Sequence, residues 1–385
     1  MRKFWKMTLV TTVCLGVLAG AACSGKNPES EIPVVDIEIP TISSEEEVSS
    51  EEVSEEVYEE TKEGFYRSEL TNEWIDEALK DQRPVAIMVD NEVTALDHYG
   101  VNSADVVYEL MNSTANGRVT RLMCLVKDWA KITQFGSVRS TRPTNIMLAG
   151  EWNAILIHDG GPFYINDYLA RPYTNNLNGG FARFSNGKAT EFTEYVTFDD
   201  YKNPNTGKSY NGLESRIESA KYSTEYNSHY PGPHFNFCKG TVDLASQSDS
   251  FDVKEKIELP FPHNSSKLMY NDETKKYEYY EYGKAHIDPL DDNKTTSFEN
   301  VILQCCSFTQ LDKNGYLTYN VTDSKSVEGY YITEGKAIPI YWSKMSETVV
   351  TQFFNKETGK PIELNTGKTY IAMVPWDAWD ELVLE

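Results

Sequence analysis

Residues 83–91 read Arg83-Pro-Val-Ala-Ile-Met-Val-Asp-Asn91. Between Pro84 and Asp90 every side chain is apolar. A run this short, closed by Asp-Asn, suits a strand covered on both faces, because such a strand has no solvent-facing row to fill with polar residues. Three later segments share the texture: 105–110, 118–126 and 154–158, the last closed by Asp159-Gly160-Gly161. Apolar spacing predicts helices over 143–152, 165–171 and 213–221. Strands mixed with helices point to an α/β to α+β body.

Working outward, the texture changes from about Ser266. Segments 277–282, 301–305, 316–321, 330–333, 337–342, 349–354 and 369–374 are short and rich in Tyr, Val, Ile and Thr. Turn signals such as Asn314-Gly315 and Thr358-Gly359 separate them. Regular short strands with such turns predict an antiparallel β-rich region. The organisation expected is an N-terminal region over 71–240 and a C-terminal region over 260–385.

The other end of the chain speaks to location. Arg2, Lys3 and Lys6 precede an apolar run of small residues, and Cys23 follows Ala21-Ala22 directly. A positive start, a short apolar stretch and a small-residue site describe an export signal over 1–22. A cysteine at the junction describes a lipoprotein, whose thiol is acylated (palmitate-type lipid) and holds the chain on the extracellular face of the cell membrane. Residues 23–70 then read as an acidic linker, with 14 acids against one lysine in 29–63. Like charges at that density keep a coil extended. The whole chain carries a net charge of −23. That excludes nucleic acid as a natural partner, since phosphate binding needs clustered Lys and Arg.

Residues 135–144, Phe-Gly-Ser-Val-Arg-Ser-Thr-Arg-Pro-Thr, carry the clearest chemistry. They lie between a predicted strand and an apolar helix. Ser140 or Thr141 can cap that helix, with Pro143 in its first turn. Free N–H groups at the helix start, with Arg139, Arg142 and a third base at Arg121, suit a carboxylate or phosphate ligand. The same arginines can instead pair with Asp90, Asp105 or Glu109 and brace the sheet ends. A second set is acidic: Asp90, Glu109 and His158-Asp159 close three predicted strands. Neighbouring strands would bring them to one crevice as acid, base and proton carrier. Tyr164, Tyr168, Tyr173 and Phe181 offer faces for sugar rings, or core packing.

Cys124, Cys238, Cys305 and Cys306 remain after Cys14 and Cys23. One disulfide, from Cys238 to Cys305 or Cys306, is compatible with the sequence, and Cys124 reads as a buried thiol. Six scattered histidines have no ligand spacing, so no metal is expected. No cofactor is expected either. Residues 288–293 read as a solvated acidic turn rather than a calcium site.

The same motifs carry a resemblance. Residues 83–91, Ser103-Ala-Asp-Val-Val-Tyr-Glu109, Thr120-Arg121, Gly136-Ser-Val-Arg-Ser-Thr-Arg-Pro143 and His158-Asp-Gly-Gly161, in order, resemble the N-terminal part of the YerB-like lipoprotein family of Gram-positive bacteria. Asn300-Val-Ile-Leu303, Trp342-Ser-Lys344 and Leu364-Asn-Thr-Gly-Lys-Thr-Tyr370 resemble its C-terminal part. The resemblance implies a surface lipoprotein with a three-layer mixed-sheet N-terminal region and a β-rich C-terminal region. It implies no activity, since the family consists of domains of unknown function. The chain departs from the family pattern at Ser137, Thr141 and Leu96-Asp97, where the family has Pro, Ala and Arg-Pro.

Three functions fit these residues. The first is binding of an anionic or saccharide cell-wall component around Arg121, Arg139, Ser140 and Arg142. The second is hydrolysis of an envelope polymer by Asp90, Glu109 and His158. The third is a scaffold for envelope proteins.

Overall fold

A computed structural model describes residues 59–323 and 327–385. The expected export signal, Cys23 and most of the expected acidic linker lie outside the described residues. The four doubly apolar segments all form strands: Val85–Asp90, Val106–Met111, Thr120–Val126 and Ile155–His158. Every residue in them is buried, as the absence of a polar row requires.

These strands form one half of an eleven-stranded sheet. The other half comes from the C-terminal region. Thr369–Pro375 pairs in parallel with both Val106–Met111 and Asn300–Cys306, joining the halves. Beyond Asn300–Cys306 lie Val327–Thr333 and Lys336–Ser343, both antiparallel. The C-terminal region is therefore not purely antiparallel as its sequence suggests. Its last long strand inserts between two others that run the same way. The molecule is α+β and rich in strand.

The sheet is covered on both sides. Helix Pro143–Glu151 lies on one face, where the Trp152 indole N–H donates to the Tyr108 hydroxyl at 3.0 Å. A six-stranded antiparallel sheet built on Lys256–Glu258, Lys267–Asn271 and Lys276–Glu281 covers the other, with Tyr279 packed on Tyr370 at 5.7 Å between centroids. Order also begins earlier than the linker reading places it. Phe65–Arg67 pairs with Trp74–Asp76, Leu70 is buried, and Glu69 forms an ion pair at 2.6 Å with the buried Lys127.

Register decides which residues can meet. Glu109 stands opposite Leu122, and Leu122 opposite Val89. Asp90 stands opposite Arg121, and Arg121 opposite Leu110. Successive side chains point to opposite faces, so Glu109 lies on one side of the sheet and Asp90 and Arg121 on the other. Ile87 pairs with Ile157, which puts His158 on the face of Asp90.

Candidate functional site

Residues 137–142 run across the ends of Val85–Asp90 and Ile155–His158. Three backbone bonds pin them: Arg139 N to Met88 O (3.0 Å), Asp159 N to Arg139 O (3.0 Å) and Thr141 N to Gly160 O (3.2 Å). Gly161 packs against this loop and Ile165: a Cβ there would lie 3.1 Å from Thr141 O and 2.3 Å from Ile165 Cδ1. The glycines after His158 thus serve packing as well as exposure.

The three arginines differ in their partners. Arg139 Nε meets Asp90 Oδ2 at 2.7 Å, and its Nη1 reaches Glu191 at 3.4 Å. Arg121 lies 3.8 Å from Asp90 and donates to Asn112 Oδ1 and Ser140 O, both at 3.0 Å. These two brace the strand ends. Arg142 has no carboxylate partner among the described residues. It donates to Thr141 O at 2.8 Å, and its guanidinium lies 4.0 Å over the Tyr316 ring. Burial and then Arg121 lower its pKa to about 10. The Nε atoms of Arg121 and Arg142 are both buried without a hydrogen-bond partner.

The helix cap is not the one predicted. Arg142, not Ser140 or Thr141, holds the N-cap position, and its N–H donates to Asn145 Oδ1 at 3.1 Å. Thr141 is buried and donates within the loop, while Ser140 offers its carbonyl to Arg121. Pro143 occupies the first turn as expected.

Aromatic side chains border this corner. Phe163 is 83% exposed and meets Tyr164 edge-on at 5.3 Å. Burial and then Asp312 push the Tyr164 hydroxyl up to about 12. Tyr173 and Phe181 are core residues, and Tyr168 is half-buried.

The acidic set does not share one crevice. Asp90 is committed to arginines. Glu109 faces the opposite side of the sheet, where it accepts from Thr120 (2.8 Å), Asn264 (2.9 Å), Ser266 (2.5 Å), Tyr279 (3.0 Å) and Tyr370. His158 is buried, with Nδ1 2.8 Å from Gly160 O and Nε2 3.1 Å from Asn176 Oδ1. Burial lowers its pKa. Asp159 has a partner the sequence did not suggest. It lies beside Glu194, whose carboxyl is pushed up to about 7 by burial and then by Asp159, with Arg183 paired to both. Glu194 sits in a short strand with no motif to mark it.

Other expectations resolve simply. Cys124, Cys238, Cys305 and Cys306 are all free and buried. Asp288 is buried rather than solvated and accepts the Gly100, Asn102 and Leu290 N–H groups. Asp105 accepts the Lys127 N–H and pairs with no arginine. His98, Glu281 and His286, which the sequence did not group, bring one potential ligand atom each within 4.8 Å of one another. Sequence spacing could not reveal this, because the two histidines are 188 residues apart. A surface cleft of about 1190 Å³ lies away from all these groups and is lined by residues such as Phe235, Val242, Ile338 and Ile362. No described helix is long and apolar enough to cross a membrane.

The profile of the N-terminal domain of a protein of unknown function, DUF3048, matches residues 70–212, and that of its C-terminal domain matches 257–371. The chain belongs to this family. It is 22% identical over 312 residues to the candidate lipoprotein YerB of Bacillus subtilis (strain 168), covering 80% of this chain and 86% of that protein. The crystal structure of YerB from Bacillus subtilis matches with a TM-score of 0.61 at 19% identity, covering 81% of this chain and 98% of the other. That likeness establishes the fold. The two DUF3048 domains are successive in sequence, yet strands from both share the large sheet.

Proposed function

We propose that this DUF3048 protein is an exported, lipid-anchored binding protein whose Arg121–Ser140–Arg142 corner takes an anionic saccharide component of the cell envelope. The observation that carries the site is Arg142. A buried guanidinium with no carboxylate partner and an unused Nε is poorly compensated by the protein alone. A bidentate anion would compensate it. Phe163 and Tyr164 supply the apolar faces that sugar rings bury. The export signal and Cys23 support the location, as does the naming of YerB as a candidate lipoprotein. The acidic linker would then hold the body off the membrane.

The test is retention of the protein on purified anionic wall polymer. Arg142→Gln should weaken it by about tenfold, the scale of one charge-assisted hydrogen bond. Phe163→Ala should weaken it without changing salt sensitivity. Equal retention by Arg142→Gln and wild type would remove the site. Cys23→Ser should abolish palmitate incorporation, and globomycin-insensitive maturation would remove the anchor.

One observation favours hydrolysis as a second reading, relocated to Asp159 and Glu194. A carboxyl held near pKa 7 beside a second carboxyl suits a general acid. Product release from purified polysaccharide, lost in Glu194→Gln, would support it. No turnover on that substrate would end it.

A further inference from the structure

We propose that the chamber between the two sheets binds a divalent transition metal of the zinc class through His98 Nδ1, His286 Nε2 and the Glu281 carboxylate. The three ligand atoms lie within 4.8 Å of one another, and all three residues are buried. His98 Nδ1 is 2.8 Å from His286 Nε2, which is 3.8 Å from Glu281 Oε1. A tetrahedral zinc with bonds near 2.0–2.1 Å separates its ligand atoms by about 3.3 Å. The His98–His286 and His286–Glu281 separations each lie about half an ångström from that spacing, and the third separation, at most 4.8 Å, would close by up to about 1.5 Å.

The surrounding residues already orient one ligand. The Asn102 amide donates to Asp291 Oδ2 (3.1 Å) and Lys294 O (3.3 Å), which fixes its Oδ1 as an acceptor. The Thr296 hydroxyl donates to that oxygen at 2.6 Å. It therefore accepts from His286 Nδ1, 2.8 Å away. The proton sits on Nδ1, and the Nε2 lone pair faces His98 and Glu281. Outer partners of this kind set the tautomer of metal-bound histidines.

Glu281 supplies the independent observation. It is almost wholly buried, and neither carboxylate oxygen has a hydrogen-bond partner of good geometry, although the Asn264 and Asn91 amides and the Tyr279 hydroxyl approach it. Among the described residues no lysine or arginine pairs with it; His286 alone lies within ion-pair distance. Glu109 brings a second carboxyl close by, where it accepts from Asn264, Ser266 and Tyr279. Two carboxyls without a basic partner leave the chamber short of positive charge. A divalent cation on the imidazole and carboxylate donors would supply it, and this donor set suits zinc. Because all three residues are buried, the metal would enter as the chain folds.

The test uses the full-length protein, unfolded in guanidinium and refolded with Zn²⁺ or with EDTA. After desalting, zinc-refolded wild type should hold about one zinc per chain and melt at a higher temperature than the EDTA sample. Glu281→Gln, close in shape, should lower zinc affinity by about tenfold or more, and His98→Gln should do the same. Should either variant fail to fold, Co²⁺ refolded into wild type provides the second readout, with visible bands of a nitrogen–oxygen site. Wild type that holds no zinc after desalting, or variants that retain as much as wild type, would overturn the proposal. In that case His98 and His286 form a plain hydrogen bond beside a protonated Glu281.

Discussion

Replacing Glu151 by Gln tests whether the N-terminal helix and the C-terminal strands form one cooperative body. Glu151 ends helix Pro143–Glu151 and is completely buried. Its Oε2 meets Lys344 Nζ at 2.5 Å and accepts from Thr351 N (3.0 Å) and Thr351 Oγ1 (2.8 Å). Its Oε1 lies 3.1 Å from His234 Nε2. Removing the charge would leave the equally buried Lys344 without its counter-charge, with only neutral acceptors such as the Val349 carbonyl. Breaking a buried pair from one side costs about 3–5 kcal/mol. The pKa gives a second measure. Burial alone would raise it, yet Lys344 and then His234 bring it down from 4.5 to about 2. That difference corresponds to about 3 kcal/mol. Because the folded value is the lower one, this stability is present above pH 4.5 and is lost as pH falls toward 2. Urea unfolding of wild type and Glu151→Gln from pH 7 down to pH 2.5 measures it. The variant should be about 3 kcal/mol less stable at pH 7, with the gap narrowing below pH 4.5. Glu151→Gln with Lys344→Met should recover most of the loss, since no buried charge is stranded. A gap under about 1 kcal/mol at pH 7, or one independent of pH, would refute the reasoning.

Asp90→Asn should destabilise the fold by about 2 kcal/mol, because Arg139 and Arg121 lose the carboxylate that braces them; urea unfolding at pH 7 checks this. The four free cysteines should resist a thiol reagent in the native protein and react together on unfolding. All are buried, and burial pushes the Cys238 thiol up to about 11 and the Cys305 thiol up to about 12. Fast native labelling of any one would show an opening the fold does not contain.

How far the sequence could be read differs by feature. The strands were legible because a run such as Val85–Val89 between Pro84 and Asp90 has few other uses, and helix Pro143–Glu151 because proline marks its first turn. The bracing of Asp90 by Arg139 was legible as one of two alternatives, since both lie near segment ends. The placement of Glu109 was not. In a strand apolar on both sides, the alternation that would assign a face is missing, and only pairing registers supply it. Glu194, His98 and His286 carry no motif, because their partners arrive from distant segments.

The order of residues alone therefore determined the buried strands and the loop that carries the arginines. Those depend on neighbours along the chain, where local composition and hydrophobic pattern act directly. Tertiary structure alone decided that the two regions share a sheet, that Glu109 turns away from Asp90, and that two histidines 188 residues apart come within 2.8 Å. Those depend on which strand edges pair, and pairing is chosen by the packing of the whole core rather than by any one segment.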